Sequence, residues 1–115
     1  MMGKRNPPRN PDMLPGTLDM LVLKALAAGP LHGYGIVRRL KQTSGDVLQV
    51  GESALYPALQ RLLLNGYVEA EWGASEHNRR ARYYTLTRAG RKQLAAERQE
   101  FDLLIGAILR VMDTA

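Results

Sequence analysis

The carboxyl-terminal quarter of the chain constrains the fold most, because it predicts a helix longer than the rest of the domain is wide. Thr87 is a suitable N-cap, although Gly90 stands where a full capping box would carry a glutamate or glutamine. A helix from Arg88 to about Met112 spans ~37 Å at 1.5 Å per residue. A compact domain of this length has a radius of gyration of only about 13 Å. The helix must therefore project beyond its own domain.

Apolar residues continue along this helix past the point where its own core can cover them. Leu94, Phe101 and Ile108 recur at intervals of seven residues, as in the seam of a coiled coil. A second chain is the expected cover, so the sequence predicts a homodimer with residues 88–115 as its dimerisation helix. The predicted contact residues are Leu94, Phe101, Leu104, Ile105, Ile108 and Met112.

Three shorter helices are predicted before it. Apolar residues at helical spacing place the first between Thr17 and a stop at Gly29–Pro30. The second begins near His32 or Gly33 and ends around 43–45, and it is expected to bury Tyr34 in part, Val37 and Leu40. The third takes Ser53 as its N-cap, carries Pro57 in its first turn and ends at Asn65–Gly66. Its buried face is Leu55, Leu59, Leu62 and Leu63, and residues 46–51 between the helices are expected to be extended or irregular.

A β-hairpin is predicted after the third helix, because apolar and polar residues alternate in two runs. Val68, Ala70 and Trp72 form one face of the first strand, and Arg82, Tyr84 and Leu86 form one face of the second. The connection from Gly73 to Ala81 is polar and arginine-rich, with an expected mobile tip. Trp72 is interpreted as a core anchor.

Composition and charge exclude several classes of protein. The 115 residues contain no cysteine, which excludes disulfides, thiolate metal sites and a cysteine nucleophile, and fits a reducing, cytoplasmic location. The net charge is +5, and Lys4, Arg5 and Arg9 place three positive charges in residues 1–11. Residues 1–13, with three prolines, are predicted to be a flexible basic arm. No signal peptide and no membrane span of ~20 apolar residues is found, so a soluble protein is expected.

Catalysis finds no support in the sequence. His32 and His77 are the only histidines, and their spacing suits no zinc site. Gly33-x-Gly35 begins like a dinucleotide-binding loop, but Arg38 stands where the third glycine would be, and no strand precedes it. No serine is grouped with a base and an orienting acid. The chain is therefore predicted not to be an enzyme, with no cofactor and no metal.

The order of elements, three helices followed by a two-stranded hairpin, predicts a mainly α winged helix-turn-helix domain over residues 14–87. Such a domain presents its third helix to the major groove of DNA and lets the hairpin reach the adjacent backbone. The rival interpretation is a winged-helix dimer that docks a protein without binding DNA, because fold alone does not fix function.

Five short sequence motifs favour the DNA-binding interpretation over the protein-docking one. They are LPGTL at 14–18, GPLHGY at 29–34, SALYPAL at 53–59, SEHNRRARYY at 75–84 and LTRAG at 86–90. Together, over about residues 12–112, they resemble the PadR family of bacterial transcriptional regulators. The resemblance implies a homodimeric repressor with a single carboxyl-terminal dimerisation helix. It also implies release from the operator when a small aromatic or drug-like effector binds near the dimer interface, and Phe101 is the candidate effector contact.

The resemblance and the outward face of the third helix together select the candidate DNA-binding residues. They are Gly33, Tyr34, Ser53, Tyr56, Pro57, Gln60, Arg61, Asn78, Arg79, Arg80 and Arg82. Gln60 has the amide that reads adenine through two hydrogen bonds, and the wing arginines neutralise phosphates. Three alternatives remain open: Tyr34 and Tyr56 can pack into the core, and Arg82 can pair with Glu69 or Glu71. The family usually carries charge where this chain has Leu63–Leu64. Leu64 is expected to be exposed in an isolated domain, so that either the arm or a partner covers it, or the assigned face is one residue off.

Overall fold

The computed structural model describes residues 16–115, and its elements follow the predicted order with one short strand added. They are α1 (Thr17–Leu26), β1 (Leu31–His32), α2 (Gly33–Thr43), α3 (Glu52–Leu64), β2 (Val68–Ala74), β3 (Arg80–Leu86) and α4 (Arg88–Met112). The predicted arm, residues 1–13, lies outside the described residues, as do residues 14 and 15 of the predicted winged domain.

One core joins α1, α2, α3 and the base of the hairpin, with Val22, Leu23, Ile36, Leu55 and Val68 among its most buried side chains. The buried face of α2 differs from the prediction. Ile36 is fully buried and Val37 only partly, whereas the side chain of Tyr34 is 67% exposed. Ile36 and Leu40 are four residues apart and share a face, and Tyr34 lies about 200° around the helix from Ile36.

Helix α3 starts one residue before the predicted Ser53 cap. Gly51 is the N-cap, its carbonyl accepts from the amides of Ala54 and Leu55, and no side chain caps this end. Ser53 is therefore the second helical residue and Pro57 the sixth, in the second turn rather than the first. Pro57 cannot donate to the carbonyl of Ser53, and because both residues are exposed, solvent can take that bond.

The carboxyl end of α3 agrees with the prediction. Gly66 has a left-handed φ of 74° and ends the helix. Leu63 packs partly against the core, and Leu64 is 77% exposed.

The sheet is antiparallel in the order β1-β3-β2, so β1 is a third strand that the sequence did not predict. It pairs Leu31 with Tyr84 and His32 with Tyr83, and two residues are too few to display an alternating pattern. The hairpin strands extend to Ala74 and from Arg80, which shortens the predicted nine-residue connection to residues 75–79.

Hydrogen bonds close this short connection. The amide of Ser75 donates to the carbonyl of Arg79 over 2.7 Å, and that of Asn78 donates to the carbonyl of Ser75 over 2.8 Å. Asn78 has a left-handed φ of 58°, which asparagine tolerates better than most residues. The predicted nine-residue connection is thus a five-residue hydrogen-bonded loop.

Trp72 is not the core anchor that its alternation with glutamates predicted, because its side chain is 58% exposed. It shares a face of β2 with Val68, which is buried, but only the base of the hairpin lies over the helices. Four residues of strand carry the chain about 13 Å further, beyond the core.

The junction between the hairpin and α4 is tightly bonded around Thr87. As predicted, its hydroxyl caps α4, accepting from the amide of Gly90 over 3.0 Å, and it also donates to the carbonyl of Gly66 over 2.8 Å. The amide of Thr87 donates to the carbonyl of Tyr67 over 3.0 Å. A Cβ on Gly90 would collide with that carbonyl oxygen and come within 2.7 Å of Leu86. Position 90 therefore needs glycine for close packing.

Replacing Gly90 by alanine is expected to lower the free energy of unfolding by about 2 kcal/mol, because the obstructing atom is backbone that cannot move aside freely. Urea unfolding followed by circular dichroism measures this. Gly106→Ala is the control, since its added Cβ meets only the Arg110 guanidinium at 3.8 Å and gains up to ~1 kcal/mol of helix propensity. Equal midpoints for the two variants would contradict the packing described for Gly90.

Helix α4 extends well beyond the core, as its predicted length required. The structure measures 54 × 35 × 23 Å, with a radius of gyration of 16.0 Å. Of the predicted seam, Leu94, Phe101 and Ile105 are partly buried, while Leu104, Ile108 and Met112 are exposed. Leu103, Leu109 and Val111 are also exposed. Across residues 16–115, no helix combines the length and apolarity needed to span a membrane.

Candidate nucleic-acid interface

The amino terminus of α2 is organised by His32, which sequence reasoning passed over. Its Nδ1 accepts from the amide of Gly35 over 3.0 Å and caps the helix. The imidazole also lies 5.2 Å from the Tyr83 ring and 6.5 Å from the Tyr34 ring, measured between centroids. The exposed Tyr34 ring in turn carries the guanidinium of Arg38 at 5.6 Å. These contacts hold the first turn of α2 at the surface.

Tyr56 of α3 packs against the start of α2. Its hydroxyl oxygen would lie 2.5 Å from a Cβ placed on Gly33, so glycine at this position makes room for the tyrosine. The Tyr56 side chain is 46% exposed. Partial burial, followed by the nearby Glu52 carboxylate, raises the pKa of the phenol above its ordinary value. Tyr56 therefore stays protonated at neutral pH and can donate a hydrogen bond outward.

The outward face of α3 is the predicted one. Ser53, Tyr56, Pro57 and Gln60 are all exposed, while Leu55, Ala58, Leu59 and Leu62 on the other face are buried. Ser53, Pro57 and Gln60 carry no charge, which allows a close approach by another surface, while the exposed Glu52 carboxylate lies near Tyr56 at the start of the helix.

Arg61, a predicted DNA contact, pairs with a carboxylate of its own chain. Its Nη2 and Nε donate to the two carboxylate oxygens of Asp19 in α1, over 2.7 and 3.1 Å. The hydrogen bonds to Asp19 raise the pKa of the guanidinium further. This bidentate pair joins α1 to α3 at the surface. The sequence could not reveal it, because the two residues lie 42 positions apart.

Two of the hairpin arginines, Arg80 and Arg82, lie over aromatic rings. The Arg80 guanidinium carbon is 4.6 Å from the Trp72 ring centroid, and that of Arg82 is 5.9 Å from the Tyr84 centroid. No ion pair joins Arg82 to Glu69 or Glu71 in the described part of the chain. Because side chains alternate along a strand, these glutamates lie on the opposite face of the hairpin.

These parts meet in one open cleft of about 660 Å³ between the first turn of α2, Tyr56 of α3 and the hairpin tip. Six of the predicted DNA-binding residues line it: Gly33, Tyr34, Tyr56, Arg79, Arg80 and Arg82. The remaining outward residues of α3 continue beside Tyr56, and Asn78 lies in the loop at the tip. The lining residues that were not predicted as DNA contacts are His32, Trp72, Ser75, Glu76, His77, Ala81 and Tyr84. The pairing of Trp72 with Arg82 across the hairpin was the signal that could have placed Trp72 in this lining.

A second groove, of about 770 Å³, lies between α1 and α4. Met20, Leu21, Leu48, Leu94 and Phe101 give it an apolar lining. Neither groove holds a candidate metal centre, since residues 16–115 contain no cluster of three metal-ligating side chains.

A helix-turn-helix with an exposed recognition face, flanked by a hairpin whose arginines share a cleft with it, defines the class of winged-helix DNA-binding regulators. The model of the Transcriptional regulator PadR-like family matches residues 22–96. The chain therefore belongs to the PadR-like family of transcriptional regulators, as the sequence motifs indicated. This membership agrees with the prediction that the chain is not an enzyme, because the family consists of transcriptional regulators.

Solved structures give the same fold. A transcriptional regulator from Clostridium thermocellum is 29% identical with a TM-score of 0.75, covering 83% of this chain and 92% of its own. A PadR family transcriptional regulator from Eggerthella lenta is 28% identical with a TM-score of 0.74, covering 87% and 85%. An uncharacterized 37.1 kDa protein of transposon TN4556 from Streptomyces fradiae is 42% identical over 90 residues, which are 78% of this chain and 24% of that protein. The chain thus matches about a quarter of that relative's length.

Proposed function

We propose that this protein is a homodimeric repressor that binds a pseudo-palindromic DNA operator, with α3 in the major groove and the hairpin on the adjacent backbone. The observation that carries the proposal is the cleft in which the start of α2, Tyr56 of α3 and the arginines of the hairpin converge. A major groove about 12 Å wide admits one helix, and α3 presents small or flat polar groups for close approach.

Each part of the cleft, and the outward face of α3 beside it, has a distinct proposed role. Gln60, Ser53 and Tyr56 approach the groove, and the protonated Tyr56 hydroxyl donates to a phosphate or a base acceptor. The amide of Gly33 and the hydroxyl of Tyr34 bind phosphate at the positive end of α2. Arg79, Arg80 and Arg82 bind the backbone beside the groove, with Asn78 at the tip. Arg61 is left out of this proposal because Asp19 holds it.

The proposed dimer is supported by the exposed apolar face on the distal half of α4. Leu104, Ile108 and Met112 lie within one stripe that a second copy would cover. Two recognition helices would then enter successive major grooves, with half-sites about 34 Å apart. A cytoplasmic location is part of the proposal, since the operator lies there.

Salt titration of duplex binding tests the proposal. The wild-type protein is incubated with fluorescent duplexes that carry a randomised central region, and the retained pool is then measured between about 50 and 200 mM salt. Binding that falls by several decades over this range supports DNA recognition through phosphates. No affinity for any duplex at the lowest salt would overturn it and favour the protein-docking alternative.

The role of Gln60 yields a separate prediction. Gln60→Ala is expected to relax the preference at one or two base pairs of the selected duplex, because an amide that reads adenine is lost. The change per pair is about 1–3 kcal/mol of discrimination. Competition with single-base-pair variants measures it, and Gln42→Ala, outside α3, serves as the control. A preference profile identical to that of the wild type would remove Gln60 from the reading set.

The proposed function includes a small-molecule effector. We propose that a small aromatic or drug-like molecule binds at the α1–α4 groove near the dimer helix and releases the operator. The apolar lining, which includes Phe101, and the volume of about 770 Å³ support this, since small-molecule sites occupy roughly 300–1,000 Å³.

A further inference from the structure

We propose that Trp72 is a positioning residue for DNA binding, whose ring holds the guanidinium of Arg80 at the place where a phosphate arrives. This inference rests on the proposed function. It adds a residue that neither the recognition face nor the wing arginines include.

Trp72 lies outside the core. Its side chain is 58% exposed at the distal part of β2, so it does not stabilise the core in the manner of Val68 or Tyr84 on the same face of the hairpin. A large exposed aromatic ring inside a basic cleft needs another explanation, and the contact with Arg80 at 4.6 Å supplies it.

The contact with the Trp72 ring leaves the hydrogen-bond donors of Arg80 free. A guanidinium that lies over an aromatic face is attracted by the ring, while its N–H donors point outward within its own plane. No carboxylate forms an ion pair with Arg80 among the residues that the structure describes. The donors therefore remain free for two oxygens of one phosphate, the geometry that arginine suits and lysine does not.

The contact with Trp72 also restricts the Arg80 side chain before DNA binds. An arginine side chain on a hairpin tip has many rotamers, and binding would have to select one of them. Trp72 selects it beforehand, so less conformational entropy is lost on binding. Arg79 occupies the loop itself and lies over no aromatic ring that the structure records, which makes it the natural control.

The stack is tested first without DNA. Trp72 is the only tryptophan of the chain, so its fluorescence reports this contact directly. Arg80→Ala is expected to shift the emission of the free protein to longer wavelength, because the ring loses its cover and meets water. Arg79→Ala should leave the emission unchanged. Identical spectra for wild type and Arg80→Ala would overturn the inference, whatever DNA binding shows.

A double-mutant cycle on a duplex selected by the wild type then tests the consequence. Trp72→Ala is expected to weaken binding about 5-fold with an unchanged salt slope, because Arg80 still neutralises its phosphate. Trp72→Phe, which keeps a ring, should bind as the wild type does. In the Arg80→Ala background, Trp72→Ala should have almost no further effect.

Two outcomes of the cycle separate the claims. If Trp72→Ala costs as much without Arg80 as with it, the tryptophan acts on DNA or on the fold by itself, and the positioning role is wrong. If the wild type binds no duplex at low salt, the proposed function is wrong while the fluorescence result still decides whether the stack exists. Circular dichroism confirms that each variant is folded, as expected for an exposed side chain.

Discussion

Glutamate at both Leu104 and Ile108 is expected to convert the protein to monomers and to lower its affinity for a two-half-site duplex at least about 100-fold. The two side chains are 48% and 40% exposed on one face of α4, so charge there opposes association without entering the core of the single chain. Affinity falls because each recognition helix must then bind alone, without the high effective concentration that a linked partner provides. Sedimentation equilibrium and duplex titration measure the two effects.

The control is Lys92→Gln with Gln99→Glu. Both residues are exposed on the side of α4 opposite to Leu104 and Ile108, and the pair changes the net charge by the same amount. It should remain dimeric. A Leu104/Ile108 variant that still sediments as a dimer would show that the contact between copies lies elsewhere. These two positions are preferable to Phe101, which is partly buried against its own α1.

Removing both Arg79 and Arg80 is the second large change. The alanine pair is expected to weaken binding about 100-fold at low salt for every duplex sequence, because two charge-assisted hydrogen bonds to phosphate are lost. The slope of log affinity against log salt should become shallower by about 1.8, at roughly 0.9 for each phosphate. Base preferences should persist, since α3 is untouched.

Lys92→Ala with Arg110→Ala removes the same charge from α4 and should leave the slope unchanged. If the Arg79/Arg80 variant keeps the wild-type slope, the hairpin does not bind the backbone. A loss restricted to some duplex sequences would instead indicate that these arginines contact base edges.

The fold was predictable where the apolar periodicity and the helix-capping residues are clear in the sequence. The long apolar repeat gave α4 its extent, and Thr87 capped it as expected, since both signals are local. The two-residue strand β1 was missed because pairing with β3 depends on residues some 50 positions away. Ser53 was chosen as a cap by its side chain, but the extended backbone of Gly51 starts the helix, which moves Pro57 into the second turn.

More of the residues of the candidate site were predictable from the sequence than of the contacts that they make. The outward face of α3 followed from helical spacing, and the tyrosine and arginine motifs placed most of the cleft. Trp72 was assigned to the core because alternation reports which face a residue is on, not how far the strand has travelled beyond the helices. The Arg61–Asp19 pair was not predicted because the two residues lie 42 positions apart. His32 showed no pattern, since its role is one bond to a neighbouring amide.

The hydrogen bonds of Thr87 and the close packing of Gly90 hold the start of α4 in place, so a small rotation there produces a larger displacement at its far end. The helix is clamped at one end to the turn before β2, while its other end stands about 37 Å away. A tilt of about 5° at the clamp displaces Met112 by ~3 Å, close to the 3.4 Å rise of one base pair. In the proposed dimer, a small molecule that moves α1 away from α4 would thus change the spacing between the two recognition helices by about the rise of one base pair.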